Sequence, residues 1–307
     1  MLELAARRLA TALPTLLVIV VASFLIMRGA PGGPFDGERA LTPEVRASLE
    51  SAYGLDEPLH IQLARYLASL ARGEFGPSLV YRDFSVGDLI AEGLPVSLML
   101  GGLALLVASL VGVPAGAWAA YQRGGQVDRA VQNLSMAGIV LPTFVTAPIL
   151  VLVFGLWLGW LPVSGWEDGA AANLVLPVLA LSLPTMAAVA RLTRGAMLDT
   201  LAQDFIRTAR AKGLDAATIL RRHALSPSLL PVVSYLGPAA AGLLTGSVVV
   251  ETVFALPGLG RYFVQGALNR DYPLVLGVVV IYAALVILFN LLADIAYGWL
   301  DPRTRKR

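Results

Sequence analysis

"FIRTARAKGLDAATILRRHALSPSLLP" (Phe205–Pro231) places five Lys/Arg residues inside a chain that is 57% hydrophobic and only 14% charged. A soluble globular chain carries about 25% charged residues. With a mean hydropathy of +0.72, the 307 residues hold more apolar sequence than one soluble core can bury under a polar surface. The composition indicates a protein that crosses a membrane several times. The basic stretch is then a segment held outside the apolar phase.

Apolar runs lie on both sides of it. A helical span needs about 20 mostly apolar residues, and six regions qualify: 9–28, 95–120, 131–160, 174–190, 229–252 and 274–299. The third is interrupted by Pro142 and Pro148. The first follows Arg7 and Arg8, as a signal peptide would. Its apolar run from Leu9 to Met27 exceeds the roughly 7–15 residues of a signal h-region, so a retained helix is expected. The expected fold class is an all-α membrane protein with six transmembrane helices. Residues 1–93 form the first span and an outer segment, and residues 94–307 form the main bundle.

Basic residues beside short loops face the cytoplasm. Arg7 and Arg8, Arg123 and Arg129, the cluster from Arg191 to Arg222, and Arg303, Arg305, Lys306 and Arg307 all fall on one side if the spans alternate. Both termini are therefore expected in the cytoplasm. The outer segment has soluble texture: Thr42 as an N-cap, Pro43 at the first helical position and Gly54 as a stop. A second helix is expected from near Asp56 to Gly73, and "SVGD" at 85–88 reads as another helix start.

The basic segment at about 191–228 is the longest on the inner side. Phe205 to Lys212 reads as helix, with Ile206, Ala209 and Arg210 near one face. Gly213 supplies the backbone freedom to turn, and Asp215 can cap a following helix. Such a knob is shaped to dock into a partner's groove. A loop that only sets topology and touches anionic headgroups accounts for the same spacing.

The stretch "RTARAKGL" through "RRHALSPSLLP" resembles the EAA loop of binding-protein-dependent ABC importer permeases, in the form found in the peptide branch. The general signature runs Glu-Ala-Ala and reaches Gly six residues after the Glu. Here Arg207, Thr208 and Ala209 occupy the first places and Gly213 the last, while His223, Leu225 and Ser226 replace parts of the downstream Ile-x-Leu-Pro. The peptide and nickel branch departs in the same way. "LPTLLVIVVASFLIMRGAPGGPFDGERAL", "YGLDEPLHIQLARYLASLARGEFGPSLVYRDFSVGDLI", "GSVVVETVFALPGLGRYFVQGALNRDYPLV" and the terminal "DPRTRKR" are similar, in order, to the oligopeptide importer's B-type permease.

The resemblance implies a type I (MetI-like) importer fold at the inner membrane. It implies pairing with a second homologous permease, two cytoplasmic ATPase subunits and an extracytoplasmic peptide-binding protein. Arg207, Ala209, Arg210, Lys212, Gly213 and Leu214 would then meet the ATPase. Glu251, Pro257, Gly258, Gly260, Asn269 and Asp271 would lie near the pathway or the receptor-facing mouth. ATP and magnesium belong to the partner ATPases, and no cofactor, metal or nucleic acid is expected on this chain. A dipeptide or nickel permease, and an ion-coupled secondary transporter, remain alternatives.

The residues agree with a chain that does not hydrolyse ATP. A phosphate-binding loop needs Gly-Lys-Ser/Thr, but Lys212 precedes Gly and Lys306 precedes Arg, and these are the only lysines. No cysteine is present, and His60 and His223 stand far apart. Glu251 near the end of the fifth span, and Asn290 and Asp294 in the sixth, are the charges and amides near membrane depth. Their position near helix ends leads one to expect solvation by water or headgroups. Arg28 is expected to anchor at the interface.

Overall fold

The computed structural model describes residues 2–29, 42–52, 54–81 and 83–300. The terminal "DPRTRKR" and most of the entry to the outer segment lie outside them. The elements are α1 (Leu2–Gly29), α2 (Pro43–Ala52), α3 (Leu59–Ala71), α4 (Val86–Tyr121), α5 (Gln126–Val140), α6 (Thr143–Leu150), α7 (Ala171–Leu201), α8 (Asp204–Ala211), α9 (Ala216–Thr218), α10 (Leu225–Val253), α11 (Leu259–Leu268) and α12 (Tyr272–Leu300). π-helical turns continue α6 over Val151–Trp157 and join α9 to α10 over Ile219–Ala224. Among the described residues, five helices are long and apolar enough to cross a membrane, and the bent pair 126–157 makes a sixth if it forms one span.

The third expected span is therefore an elbow rather than a straight rod. Its two halves meet at 108°. Leu141 is extended (φ −77°, ψ 117°), the conformation that a following proline favours. Pro142 makes the corner, whereas Pro148 sits inside α6.

Sequence hydropathy also underestimates the helices at the basic end. The fourth span was expected to end near 190, but α7 runs to Leu201. The fifth was expected to begin near 229, but helix starts at Ala216. The charged residues at these ends project from a continuing helix, so the link between the two helices shortens to 202–215. The second half of the basic knob is thus the base of a span, not a separate helix.

α4, α7 and α10 form the centre. Leu100, Ala104, Leu176, Leu181, Leu243 and Val250 pack there together. α12 packs on α10, α1 lies outermost on α12, and α5 covers α7. Each central helix carries two internal prolines: Pro95 and Pro114, Pro177 and Pro184, Pro231 and Pro238. Membrane helices tolerate these because neighbours re-satisfy the freed backbone. α4 and α7 touch closely because Gly112 and Gly116 face the α7 backbone. A Cβ on Gly112 would stand 2.8 Å from the Met186 carbonyl oxygen, and one on Gly116 would press on Ala190 and lie 2.8 Å from Thr193 Cβ. Small residues one turn apart are the usual means of close packing between membrane helices.

Outside the bundle, α2 begins at Pro43 and Gly54 takes φ +63°, as its sequence implies. α3 begins at Leu59 with Pro58 as its N-cap, three residues later than expected from Asp56. Gln62 explains the shift: its side-chain amide donates to the carbonyls of Leu55 and Glu57, which holds 55–57 as a turn. Ser85 and Asp88 form a reciprocal capping box at the start of α4, satisfying two otherwise orphaned donors.

Candidate functional site

One end of the bundle carries α8. Its sequence is amphipathic over only eight residues, too few for an isolated helix to be stable in water. Packing holds it. Ile206 is fully buried and Ala209 is 6% exposed, set among Ala117 and Ala120 of α4, Met197 of α7, and Ile219 and Ala224 of the π turn. Ala209 therefore seats α8 on its own bundle and does not face outward for a partner. Arg207, Arg210, Lys212, Gly213 and Leu214 are exposed. Arg207 makes a solvent-exposed pair with Asp204 at 3.2 Å, and such pairs contribute little stability.

Gly213 ends α8 by geometry. It adopts φ +79°, its N–H donates to the Arg210 carbonyl at 2.9 Å, and the Leu214 N–H donates to the Ala209 carbonyl at 3.3 Å. This is the Schellman arrangement, in which a left-handed residue lets two carbonyls be satisfied. Nothing lies within 4 Å of a Cβ placed there, so its requirement is conformational. Asp215 then accepts from the Thr218 N–H at 3.0 Å. Hydrogen bonding to Thr218 holds its carboxyl below the usual carboxylate range.

Two polar clasps tie this base together, neither of which was singled out in the sequence. Asp128, fully enclosed at the start of α5, takes both prongs of the Arg194 guanidinium on α7 and also accepts from Gly124 N–H and Gln132. Ser228 of α10 donates to the Ala224 carbonyl at 2.7 Å and lies 3.0 Å from the Thr200 hydroxyl of α7. The clasps join α5 and the base of α10 to α7 at the end of the bundle where α8 is seated.

The opposite end is organised by two buried acids. Glu251 is completely buried, contrary to the expected solvation. One carboxylate oxygen accepts from Ser97 of α4 at 2.7 Å and the other from the Gly260 N–H at 2.7 Å. Ser97 in turn accepts from the Leu259 N–H at 2.9 Å. The carboxylate therefore sits at the N-terminus of α11, where free N–H groups and the helix dipole favour negative charge. Gly258 and Gly260 leave room for it: a Cβ on either would collide with the Glu251 carboxylate. Pro257 belongs to the turn that brings α11 back.

Asp271 is also completely buried. It accepts from Ser78 Oγ, from the N–H groups of Leu79 and Val80 at 3.1 and 3.2 Å, and from Leu274 N–H at 3.2 Å. It caps α12 and holds the outer segment against it. Asn269 is different: it caps the end of α11 and its amide bonds back to Gln265 on the surface. Glu251 and Asp271 thus clamp the two ends of α11, and Asn269 is not brought into either cluster.

The remaining candidates are dispersed. Arg28 lies over the rings of Phe24 and Tyr272 at 5.6 and 5.5 Å, a cation–π anchor. Asn290 bonds its own helix at the Val286 carbonyl, and Asp294 lines a small polar recess between α1 and α12 with Thr11 and Thr15.

Comparison with known proteins places the chain in a family. Residues 112–306 match the family described as "Binding-protein-dependent transport system inner membrane component". The chain is 50% identical over 305 residues to the oligopeptide transport system permease protein OppB of Haemophilus influenzae, covering 99% of this chain and all of that one. It is 51% identical to OppB of Salmonella typhimurium over the same shares, and 42% identical over 291 residues to the dipeptide transport system permease protein DppB of Bacillus subtilis, covering 95% and 94%. In fold it is similar to the inward-facing MetNI methionine ABC transporter, with TM-score 0.57 and 19% identity over 69% of this chain and 96% of that one. An amino acid ABC transporter gives TM-score 0.55 at 19% identity, over 68% and 93%. The chain belongs to the binding-protein-dependent transport system inner membrane component family.

Proposed function

We propose that this chain is a permease subunit of an ATP-driven importer that takes up oligopeptides by alternating access. The observation that carries the reading is the seating of α8: its apolar face is buried on three helices, while Arg207, Arg210 and Lys212 remain outside. A small rigid helix with a polar free face can pass a partner's motion to all the spans beneath it. Coupling requires that the partner's two states hold this element differently. Two ATPase subunits would supply that motion, a second homologous permease would complete the pathway, and a peptide-binding protein would load it from the α11 side. The α8 side and both termini then lie in the cytoplasm, which the distribution of Lys/Arg supports. No catalytic step falls to this chain, and ATP and magnesium would be held by the ATPases.

Oligopeptide cargo is preferred over dipeptide because identity is higher to the oligopeptide permeases, 50–51% against 42%. The test is reconstitution of the complex with its receptor in proteoliposomes. Uptake of tri- to pentapeptides that needs ATP and receptor supports the reading. Uptake without ATPase subunits, driven by an ion gradient, would refute it.

A further inference from the structure

Most hydroxyls on the spans are satisfied within their own helix. Thr15, Ser109, Thr200, Ser234, Thr245 and Thr252 each donate to the carbonyl four residues earlier. This is the usual fate of such groups in a membrane helix, where no water competes. The hydroxyls of Thr193 on α7 and Tyr282 on α12 break the pattern in enclosed positions, and three further ones do so beside a groove. The hydroxyls of Thr143 at the start of α6, Thr185 on α7 and Tyr235 on α10 make no hydrogen bond among the described residues. All three line one groove of about 330 Å³ between these helices. Thr185 is only 7% exposed, so its unpaired hydroxyl is held inside the groove rather than on an open surface.

The rest of the groove is apolar and uncharged, with Leu181, Leu243, Pro184, Pro238, Gly242 and Gly246 in its wall and no Asp, Glu, Lys, Arg or His. It opens on an uncovered face of α10 that presents Ser234, Pro238, Gly242 and Thr245. The outer faces of α1 and α5 differ sharply, showing Leu13, Val18, Ile26, Leu134, Met136 and Val140. Those rows suit lipid tails, whereas the α10 face offers them little.

We infer that this groove is a binding subsite for the main chain of a peptide in transit. The inference rests on the peptide-importer reading and specifies its chemistry in this subunit. A hydroxyl both donates and accepts, so it can pair with either the N–H or the C=O that each peptide residue presents. An uncharged lining does not select by side-chain charge, and the glycines and prolines leave space for side chains of differing size. The volume lies at the lower end of ligand sites, about 300–1,000 Å³, enough for a short stretch of main chain rather than a whole peptide.

The test uses the complete transporter, with receptor and ATPases, in proteoliposomes and trialanine as the probe. Thr185→Val combined with Tyr235→Phe is expected to lower trialanine uptake per loaded receptor about tenfold, the loss of two hydrogen bonds. Membrane insertion and co-purification of the ATPases stay at the wild-type level, and Thr185→Ser alone retains uptake. The chain has no cysteine, so Gly242→Cys gives a single reactive thiol in it. A water-soluble maleimide should label that thiol, and trialanine-loaded receptor should slow the labelling. Wild-type uptake by the double variant, or a thiol sealed from the reagent in every nucleotide state by lipid or the second permease, overturns the inference. A wild-type transporter that imports no peptide would instead sink the functional reading itself.

Discussion

Arg194 holds Asp128 through two hydrogen bonds, Nε to Oδ1 at 2.5 Å and Nη2 to Oδ2 at 2.8 Å. The Asp128 side chain is 2% exposed and that of Arg194 22%. Removing one member of such a pair strands the other, at a cost of about 3–5 kcal/mol when both are enclosed. Arg194→Ala is expected to approach the lower figure, because its guanidinium is partly open. Thermal unfolding of the detergent-solubilised transporter measures it, and an unchanged midpoint would remove the pair from the account of how α5 is fixed to α7.

Glu251 and Gly258 are expected to couple. Glu251→Ala leaves the Ser97 hydroxyl and the Gly260 N–H without their acceptor, each unsatisfied group costing about 1–3 kcal/mol. Gly258→Ala drives a methyl into the same carboxylate. In the double variant that collision partner is gone, so the combined loss should be smaller than the sum of the single losses. Strict additivity in the unfolding free energies would show that the carboxylate does not occupy the space above Gly258.

The α4–α7 crossing makes a steric prediction. Gly112→Val and Gly116→Val should each destabilise by about 1–3 kcal/mol or more through overpacking. Gly102→Ala on the same helix is the control, since nothing lies within 4 Å of its added carbon. Equal effects at all three positions would contradict close contact at this crossing.

Gly213 separates backbone strain from contact. Gly213→Ala forces an L-residue into φ +79°, costing about 1–2 kcal/mol, without touching any neighbour in this chain. Gly213→Asn should be milder, because asparagine tolerates the left-handed region. Membrane insertion stays normal in both, and peptide uptake falls in the order Gly, Asn, Ala. An alanine variant with undiminished uptake would show that this cap is not needed to hold α8.

The spans were legible because hydropathy is a local property: five of the six regions appear as long apolar helices, and the third appears as a bent pair. Their ends were not. Arg191 and Arg194 look like loop residues beside an apolar run, yet one helix carries both, and Arg194 finds Asp128 from a position 66 residues distant. The burial of Glu251 was illegible for the same reason. Its partner Ser97 is 154 residues away, and only the return of α11 closes the space above it. Gly213 and Asp215 could be read from the chain because caps act within a few residues. Ala209 was placed on the correct face of α8, but sequence spacing could not tell whether that face meets a partner or the bundle. The unpaired hydroxyls of the groove could not be anticipated, since pairing depends on which carbonyls the folded neighbours offer.

The central claim is that α8 is the element through which an ATPase moves the bundle. Arg207→Glu with Arg210→Glu changes only exposed side chains, so insertion and thermal stability should match the wild type. ATPase co-purification and receptor-stimulated ATP hydrolysis are measured on the same preparation. The account predicts that both fall, with hydrolysis no longer responding to peptide-loaded receptor. Wild-type co-purification together with wild-type stimulation would contradict it.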